Sequence, residues 1–534
     1  MASGLLLPAF VVLAAKDSSA QDLLHTYDLA RGREGTDDLF GASLCVLGDI
    51  DGDGAPEVVI GAMDLNVKDR RPTYDGAIFV YSTATGALIR RHDGSGLNTR
   101  LGFTVAGGKD LDGDGTPDYL AGGPGDDSGP FDGGSVYAWS GLTGALLYRL
   151  DGHRSFDAFG SGLAVVDDAD GDGCADFLVT SPSWDDLKAG YGGAGRCDCV
   201  SGRTGAFIWS LTGAKDAQSI AYCCRVDDLT GDGVAEVAVG SSAGGSGKAG
   251  EGQLDVVDGV TGSILHTLYG ENPGDRYGIC GSLGDVDGDG LRDFVVVAPF
   301  LDGPQIDGRA YVYSSATMTE LYRIDGLKGD YGGAPSGPGR FDANDDGFDD
   351  FTLGYSLRPV HGVDFGVVSL FSGRTGRLLY DFRANSDLGI EASISVAHEA
   401  IADLDGDGAK DLIMGAHNVP SGPGWNSAGR AYLINCRKRF LQADRREYAT
   451  NDPITLDLRG GTPGVLGLIA VIAIDGTPLF ETVAFGALDA NGELAYSDVA
   501  DASLSGLTID VIGLTQKPNG RGSLTTGVET LFFQ

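Results

Sequence analysis

Asp49-Ile50-Asp51-Gly52-Asp53-Gly54-Ala55-Pro56-Glu57 packs four carboxylates and two glycines into nine residues. The same acidic phrase starts again at Asp110, Asp168, Asp228, Asp285, Asp342 and Asp403, at intervals of 57 to 61 residues. A phrase recurring at a fixed period assigns each copy to one structural unit of a closed or stacked array. One Asp/Gly string could be a polar turn, since both residues favour turns. Seven copies in register are a repeated site.

The chemistry of the phrase is that of a calcium loop. Calcium takes hard oxygen ligands, mainly carboxylates and carbonyls. Acids at positions 1, 3 and 5 put short carboxylates on one side of a tight turn, and the glycines allow the positive φ that curls the backbone round an ion. Position 7 offers a carbonyl, and an acid at position 9 closes the shell. The expected ligand sets are Asp49, Asp51, Asp53, Ala55 and Glu57, then Asp110, Asp112, Asp114, Thr116 and Asp118. The third and fourth are Asp168, Asp170, Asp172, Cys174 and Asp176, and Asp228, Thr230, Asp232, Val234 and Glu236. The last three are Asp285, Asp287, Asp289, Leu291 and Asp293; Asp342, Asn344, Asp346, Phe348 and Asp350; and Asp403, Asp405, Asp407, Ala409 and Asp411. Up to seven calcium ions are expected, bound more weakly where Thr230 and Asn344 remove a charge. An EF-hand is excluded, because it needs Glu at position 12 between helices. Here the flanks are β-like, as in Val58-Val59-Ile60 and Phe294-Val295-Val296-Val297.

The rest of the period reads as four strands. A stretch such as Phe40-Gly41-Ala42-Ser43-Leu44 precedes the loop, and an apolar run such as Val237-Ala238-Val239-Gly240 follows it. An alternating strand comes next, as in Gly134-Ser135-Val136-Tyr137-Ala138-Trp139-Ser140, and a Thr-Gly turn leads into a fourth, as in Thr143-Gly144-Ala145-Leu146-Leu147-Tyr148-Arg149-Leu150. Four short strands bounded by turns, repeated seven times, predict an all-β, seven-bladed β-propeller. The seventh unit lacks its own fourth strand after Gly429-Arg430-Ala431-Tyr432-Leu433-Ile434, whereas a matching strand, Asp22 to Leu29, precedes the first loop. That N-terminal strand is expected to complete the last blade and remove the exposed edges.

These features resemble the FG-GAP repeat family, best known from the seven-bladed head of integrin alpha chains. The resemblance covers residues 21–436 and rests on the Phe-Gly or Tyr-Gly step, the acidic loop and the small-residue end of the strand after it. The step is replaced by Ile220-Ala221-Tyr222 in blade four and Ser393-Ile394-Ser395 in blade seven. The resemblance implies loops between the first and second strands, on the lower face, and a calcium-stabilised propeller used for adhesion or ligand binding.

Composition narrows the partners. The net charge is −38, with 76 acids against 38 Lys and Arg. Seven calcium ions would leave about −24. Such a surface argues against nucleic acid, which needs a basic face, and against anionic membranes. No run reaches the length of a membrane span. Residues 1–20 read as a signal peptide, with an apolar stretch from Leu5 to Ala15 and a small-residue exit at Ser18-Ser19-Ala20, although the basic start is missing. The expected location is secreted or cell-surface. Eight cysteines fit an oxidising compartment; Cys223 with Cys280, and Cys197 or Cys199 with Cys224, are candidate pairs.

Residues 437–534 lack the acidic phrase and alternate in a β manner, as in Ile454 to Leu458, Val465 to Ile474 and Leu507 to Ile512. They predict a small C-terminal β-sandwich-like domain. In the propeller, irregular content concentrates in the loops opposite the acidic turns: Arg70, Arg71, Tyr74, Trp184, Tyr191, Phe300, Arg358, His361 and Trp425. Trp184, Tyr191 and Trp425 are the candidate ligand-binding residues, suited to stacking on a glycan. Two functions fit: a non-catalytic binding or adhesion module for an extracellular protein or glycan, or a calcium-dependent glycan-active enzyme such as a polysaccharide lyase. An enzyme needs a convergent acid/base set. The seven histidines are scattered, and no nucleophile-elbow, zincin or P-loop string occurs, so the binding module is favoured.

Overall fold

The structure is a computed structural model. It describes residues 23–29, 38–67, 73–215, 218–299, 308–326, 333–335, 341–343, 346–360, 363–383, 397–404, 410–417 and 429–435, and, beyond these, strands between 441 and 533. The chain divides into two compact units, Leu23–Arg437 and one containing Lys438–Gln534.

The first unit holds seven four-stranded antiparallel sheets, the blades of a β-propeller. Blade 1 runs Phe40–Val46, Glu57–Ala62, Ala77–Ser82 and Leu88–Asp93, and each strand pairs with the next. Blades 2 to 6 repeat this order. Blade 7 is built from His398–Ala400, Leu412–Ala416 and Arg430–Ile434, with Leu23–Tyr27 as its fourth strand. Thr26 pairs with Tyr432 and Tyr27 with Ala431. The N-terminal strand therefore closes the ring, as its sequence predicts.

The core lies in the wedges between blades. The second and third strands are buried along nearly their whole length, because each is covered on both faces by a neighbouring blade. This is why they read as continuous apolar runs rather than alternating ones. One wedge joins Ile60 and Phe79 of blade 1 to Ile413 and Leu433 of blade 7. Others join blade 1 to 2, 2 to 3, 3 to 4, 4 to 5 and 5 to 6. Each fully buried Ile or Phe contributes about 1.5–3 kcal/mol. Fourth strands are part-exposed, as in Leu88–Asp93.

The Thr-Gly turns have a packing reason. In blade 4 a Cβ on Gly262, whose φ is +72°, would lie 2.8 Å from the Trp209 ring of blade 3. Trp209 crosses that glycine to donate its indole N–H to the Gly259 carbonyl at 2.8 Å. Tyr148 and Tyr322 make the same reach, to Gly202 and Gly373. At the seam, His25 of the closing strand covers Gly86 of blade 1 in the same way. Blade 5 has Met318 at the position, held at φ +55°.

The cysteine expectation is corrected. Cys223 and Cys224 are adjacent on Ile220–Arg225 and face opposite ways. Cys223 packs with Cys197 in the wedge toward blade 3. Cys224 packs with Cys280 in the wedge toward blade 5.

The second unit has two sheets. One has three strands, Leu441–Ala443, Pro453–Leu458 and Leu494–Val499. The other has five, centred on Leu466–Ile474, Thr508–Gln516 and Ser523–Phe533.

Candidate metal centres

Each acidic phrase links the first strand of a blade to its second, and its side chains first organise the turn itself. In blade 1 the Asp49 carboxylate accepts the N–H of Gly52 at 2.6 Å and of Gly54 at 2.9 Å. Asp51 accepts from Asp53, and Asp53 from Ala55. Gly52 and Gly54 stand at φ +83° and +93°, where a side chain would be strained. The same bonds recur at Asp110, Asp168, Asp228 and Asp285.

Position 9 has a structural duty that the sequence did not reveal. In every blade its buried carboxylate accepts the N–H of position 2, from Ile50 to Glu57 (2.7 Å) in blade 1 to Leu404 to Asp411 (2.9 Å) in blade 7. In blades 2, 3, 5 and 6, where the acid is Asp, the other oxygen accepts an N–H at the exit of the third strand. Gly141 bonds Asp118, Gly202 bonds Asp176, Ser315 bonds Asp293 and Gly373 bonds Asp350. In blade 1 the longer Glu57 leaves its Oε1 buried without a hydrogen-bond partner.

The carboxylates converge. Oxygens of Asp49, Asp51, Asp53 and Glu57 lie within 4.8 Å of one another. So do those of Asp110, Asp112 and Asp118, of Asp168, Asp170 and Asp176, and of Asp285, Asp287 and Asp289. Asp114, Asp172 and Asp293 fall outside these sets. In blade 4 Thr230 stands beside Glu236 where the other blades have a carboxylate or amide, and the Glu236 Oε1 is buried without a hydrogen-bond partner. Asn344, Asp405, Asp407 and Ala409 lie outside the described residues.

The donor set fits a hard divalent cation. All the donors are carboxylate oxygens, and the unpartnered Glu57 oxygen is a buried acceptor that an ion would satisfy. Electrostatics agree. Burial, and then the charges of Asp51, Asp53 and Asp49, push the Glu57 carboxyl up to about 7. Burial likewise raises Asp293 to about 7 and Asp118 and Asp176 to about 6. These acids lack a counter-charge.

The turns are also linked around the ring through position 8. Ala235 of blade 4 donates its N–H to Asp167 of blade 3 at 3.1 Å, and Arg292 of blade 5 donates to Asp227 of blade 4 at 2.8 Å. Ala175 donates to the Asp110 carbonyl and Asp349 to the Asp285 carbonyl, again from one blade to the preceding one.

The FG-GAP repeat family profile matches residues 40–81 and 281–313, the first three strands of blades 1 and 5. The chain carries FG-GAP repeats. It is similar to integrin alpha-PS2 of Drosophila melanogaster, 28% identical over 169 residues, covering 29% of this chain and 12% of that one. It is 31% identical to integrin alpha-4 of Xenopus laevis over 153 residues, 26% of this chain and 14% of that one. Integrin alpha-5 of Xenopus laevis is 27% identical over 223 residues, 38% of this chain and 20% of that one. The chain thus spans a fifth or less of the length of these relatives.

On the opposite face of the propeller the aromatic expectation bears on Trp184 and Tyr191. Trp184 is only 8% exposed. The guanidinium groups of Arg154 and Arg196 lie over its ring at 4.4 and 4.6 Å, and His153 meets its edge at 5.3 Å. It is a packed cation–π residue with little ring surface left for a sugar. Tyr191 is half-buried, its N–H bonded to the Asp186 carbonyl at 2.9 Å. Arg70, Arg71, Phe300, His361 and Trp425 lie outside the described residues. The most exposed aromatics among the described residues are Phe131 and Phe156, 59% and 61% accessible, edge to face at 5.4 Å. Phe156 donates its N–H to the Phe131 carbonyl at 3.0 Å, joining the loop inside blade 2 to the link toward blade 3. Sequence reasoning passed over them, because two phenylalanines 25 positions apart carry no sign that their loops meet.

Proposed function

We propose that this FG-GAP propeller is an exported, calcium-binding, non-catalytic module that binds an extracellular protein or glycan. One observation carries the reading: four blades each gather three or four carboxylate oxygens within 4.8 Å on a turn whose backbone is already folded. Asp49, Asp51, Asp53 and Glu57 hold the ion in blade 1, and the matching acids hold it in the other blades. Bound calcium supplies the counter-charge for the raised acids and stiffens the lower face. The similarity to integrin alpha chains supports a binding role and a place outside the cell. The opposite face, with Phe131 and Phe156 exposed, supplies the partner surface.

Calorimetric titration of chelator-treated protein with calcium tests the metal reading directly; no heat at millimolar calcium would refute it. A glycan array and a protein pull-down, each with and without calcium, test the partner. Calcium-dependent capture of an extracellular ligand is expected.

A further inference from the structure

Blade 4 carries a Cys-Cys pair on its innermost strand, and both neighbouring blades answer it. Ile220–Arg225 lies beside the third strand of blade 3 (Arg196–Val200) and the first strand of blade 5 (Ile279–Ser282). Consecutive side chains on a strand point to opposite faces. Cys223 therefore enters the blade 3 wedge, where it packs in one cluster with Cys197 and the two thiols interact. Cys224 enters the blade 5 wedge, where it packs in one cluster with Cys280 and the two thiols interact. Cys197, Cys224 and Cys280 are buried and Cys223 is half-buried. All four are thiols in this structure. Two independent cysteine pairs, one on each side of a single strand, are hard to account for by packing alone, since a valine or alanine would fill either wedge as well.

We propose that Cys197–Cys223 and Cys224–Cys280 are a double modification site, closed to two disulfides that fasten blade 4 to both of its neighbours. The oxidant is a disulfide of the glutathione or thiol-oxidoreductase class. Its exchange with each pair forms one Sγ–Sγ bond, passes two electrons and two protons to the oxidant and releases two thiols. The bonds close while the wedges are still open to that oxidant. They cross-link segments distant in sequence and so restrict the unfolded chain.

The test is refolding of the full chain in a glutathione redox buffer, then alkylation, tryptic cleavage and mass spectrometry without reduction. Cys223 and Cys224 share the peptide Asp216–Arg225, while Cys197 starts Cys197–Arg203 and Cys280 lies in Tyr277–Arg292. One three-peptide species is expected, lighter by two hydrogens for each bond and lost on reduction. In Cys223→Ser, the Cys197 peptide should be released while the Cys280 peptide stays joined. Cys224→Ser should do the reverse. Free, alkylatable thiols at all four positions of the refolded wild-type chain would overturn the proposal, and so would release of the opposite peptide in either variant. The wild-type measurement stands even if a variant fails to fold.

Discussion

Asp167 of blade 3 binds the Arg225 guanidinium of blade 4 at 2.9 Å, and its other oxygen takes the Lys109 ammonium of blade 2. With the Ala235 N–H also donated to it, one carboxylate ties together three blades directly beside the acidic turns. These cations hold its carboxyl down to about 2, against the cost of burial. Asp167→Asn keeps the shape but removes the charge. It should lower the unfolding free energy by about 1–3 kcal/mol, since Lys109 loses its carboxylate and Arg225 keeps only Asp227 at 4.0 Å. Thermal melts at low and high salt check this, and a variant as stable as wild type would contradict it.

Trp209 and Gly262 give a second measurable contact. Gly262→Ala must place a methyl on the indole ring and hold alanine at positive φ, which should cost about 1–3 kcal/mol. Gly96→Ala, at a site with open space, should be close to neutral. Paired denaturation curves decide between them.

His92 of blade 1 stacks on Trp139 of blade 2 at 4.6 Å, with its Nε2 2.8 Å from the Tyr119 hydroxyl. Burial, and then the nearby Arg90 charge, lower its pKa from 6.5 to about 4. The folded protein keeps His92 neutral at pH values where the unfolded chain takes up a proton. Its contribution is therefore complete above about pH 6.5 and is lost as pH falls toward 4. Wild type should therefore lose stability relative to His92→Gln as pH falls across that window, because the raised acids, which act in the opposite direction there, are common to both proteins. An NMR titration placing His92 near 6.5 would refute the assignment.

Calcium linkage separates the blades. A ligand that binds only the folded form raises its stability, so exhaustive chelation should lower the melting temperature and added calcium should restore it. Asp51→Ala should weaken calcium binding at blade 1 roughly tenfold, the equivalent of one charge-assisted contact. Thr230→Asp should strengthen the blade 4 site by adding a carboxylate beside Glu236. Calorimetry of the three proteins reads both directions.

Phe131 and Phe156 lie in loops away from the wedges. Replacing both with Ser should leave the melt within about 0.5 kcal/mol of wild type while reducing partner capture. Trp184→Ala should do the opposite, because it strips the ring from beneath two guanidinium groups. Pull-down and melting data on the two variants distinguish a contact surface from packing.

The fold was legible because the constraints that shape a blade are local. The acidic turn needs Asp and Gly at fixed spacing, the wedge needs unbroken apolar strands, and the missing fourth strand of blade 7 has a visible match at Leu23–Tyr27. The candidate centres were legible for the same reason at Asp49, Asp51, Asp53 and Glu57. The brace made by position 9 was not, because its partners Gly141, Gly202, Ser315 and Gly373 sit on another strand. Trp184 misled because a loop tryptophan looks the same in sequence whether arginines cover it or solvent does. The cysteines misled because equivalent register in two blades says nothing about which wedge a side chain enters.

The pairing of Thr26 with Tyr432 also sets an order of events during synthesis. The propeller's first strand to leave the ribosome belongs to the propeller's last sheet to be made. Until that sheet arrives, the opening segment must wait unpaired, and the growing row of blades keeps two open ends. A chain stopped anywhere before Arg430 should thus remain an open arc, vulnerable to joining its neighbours edge to edge.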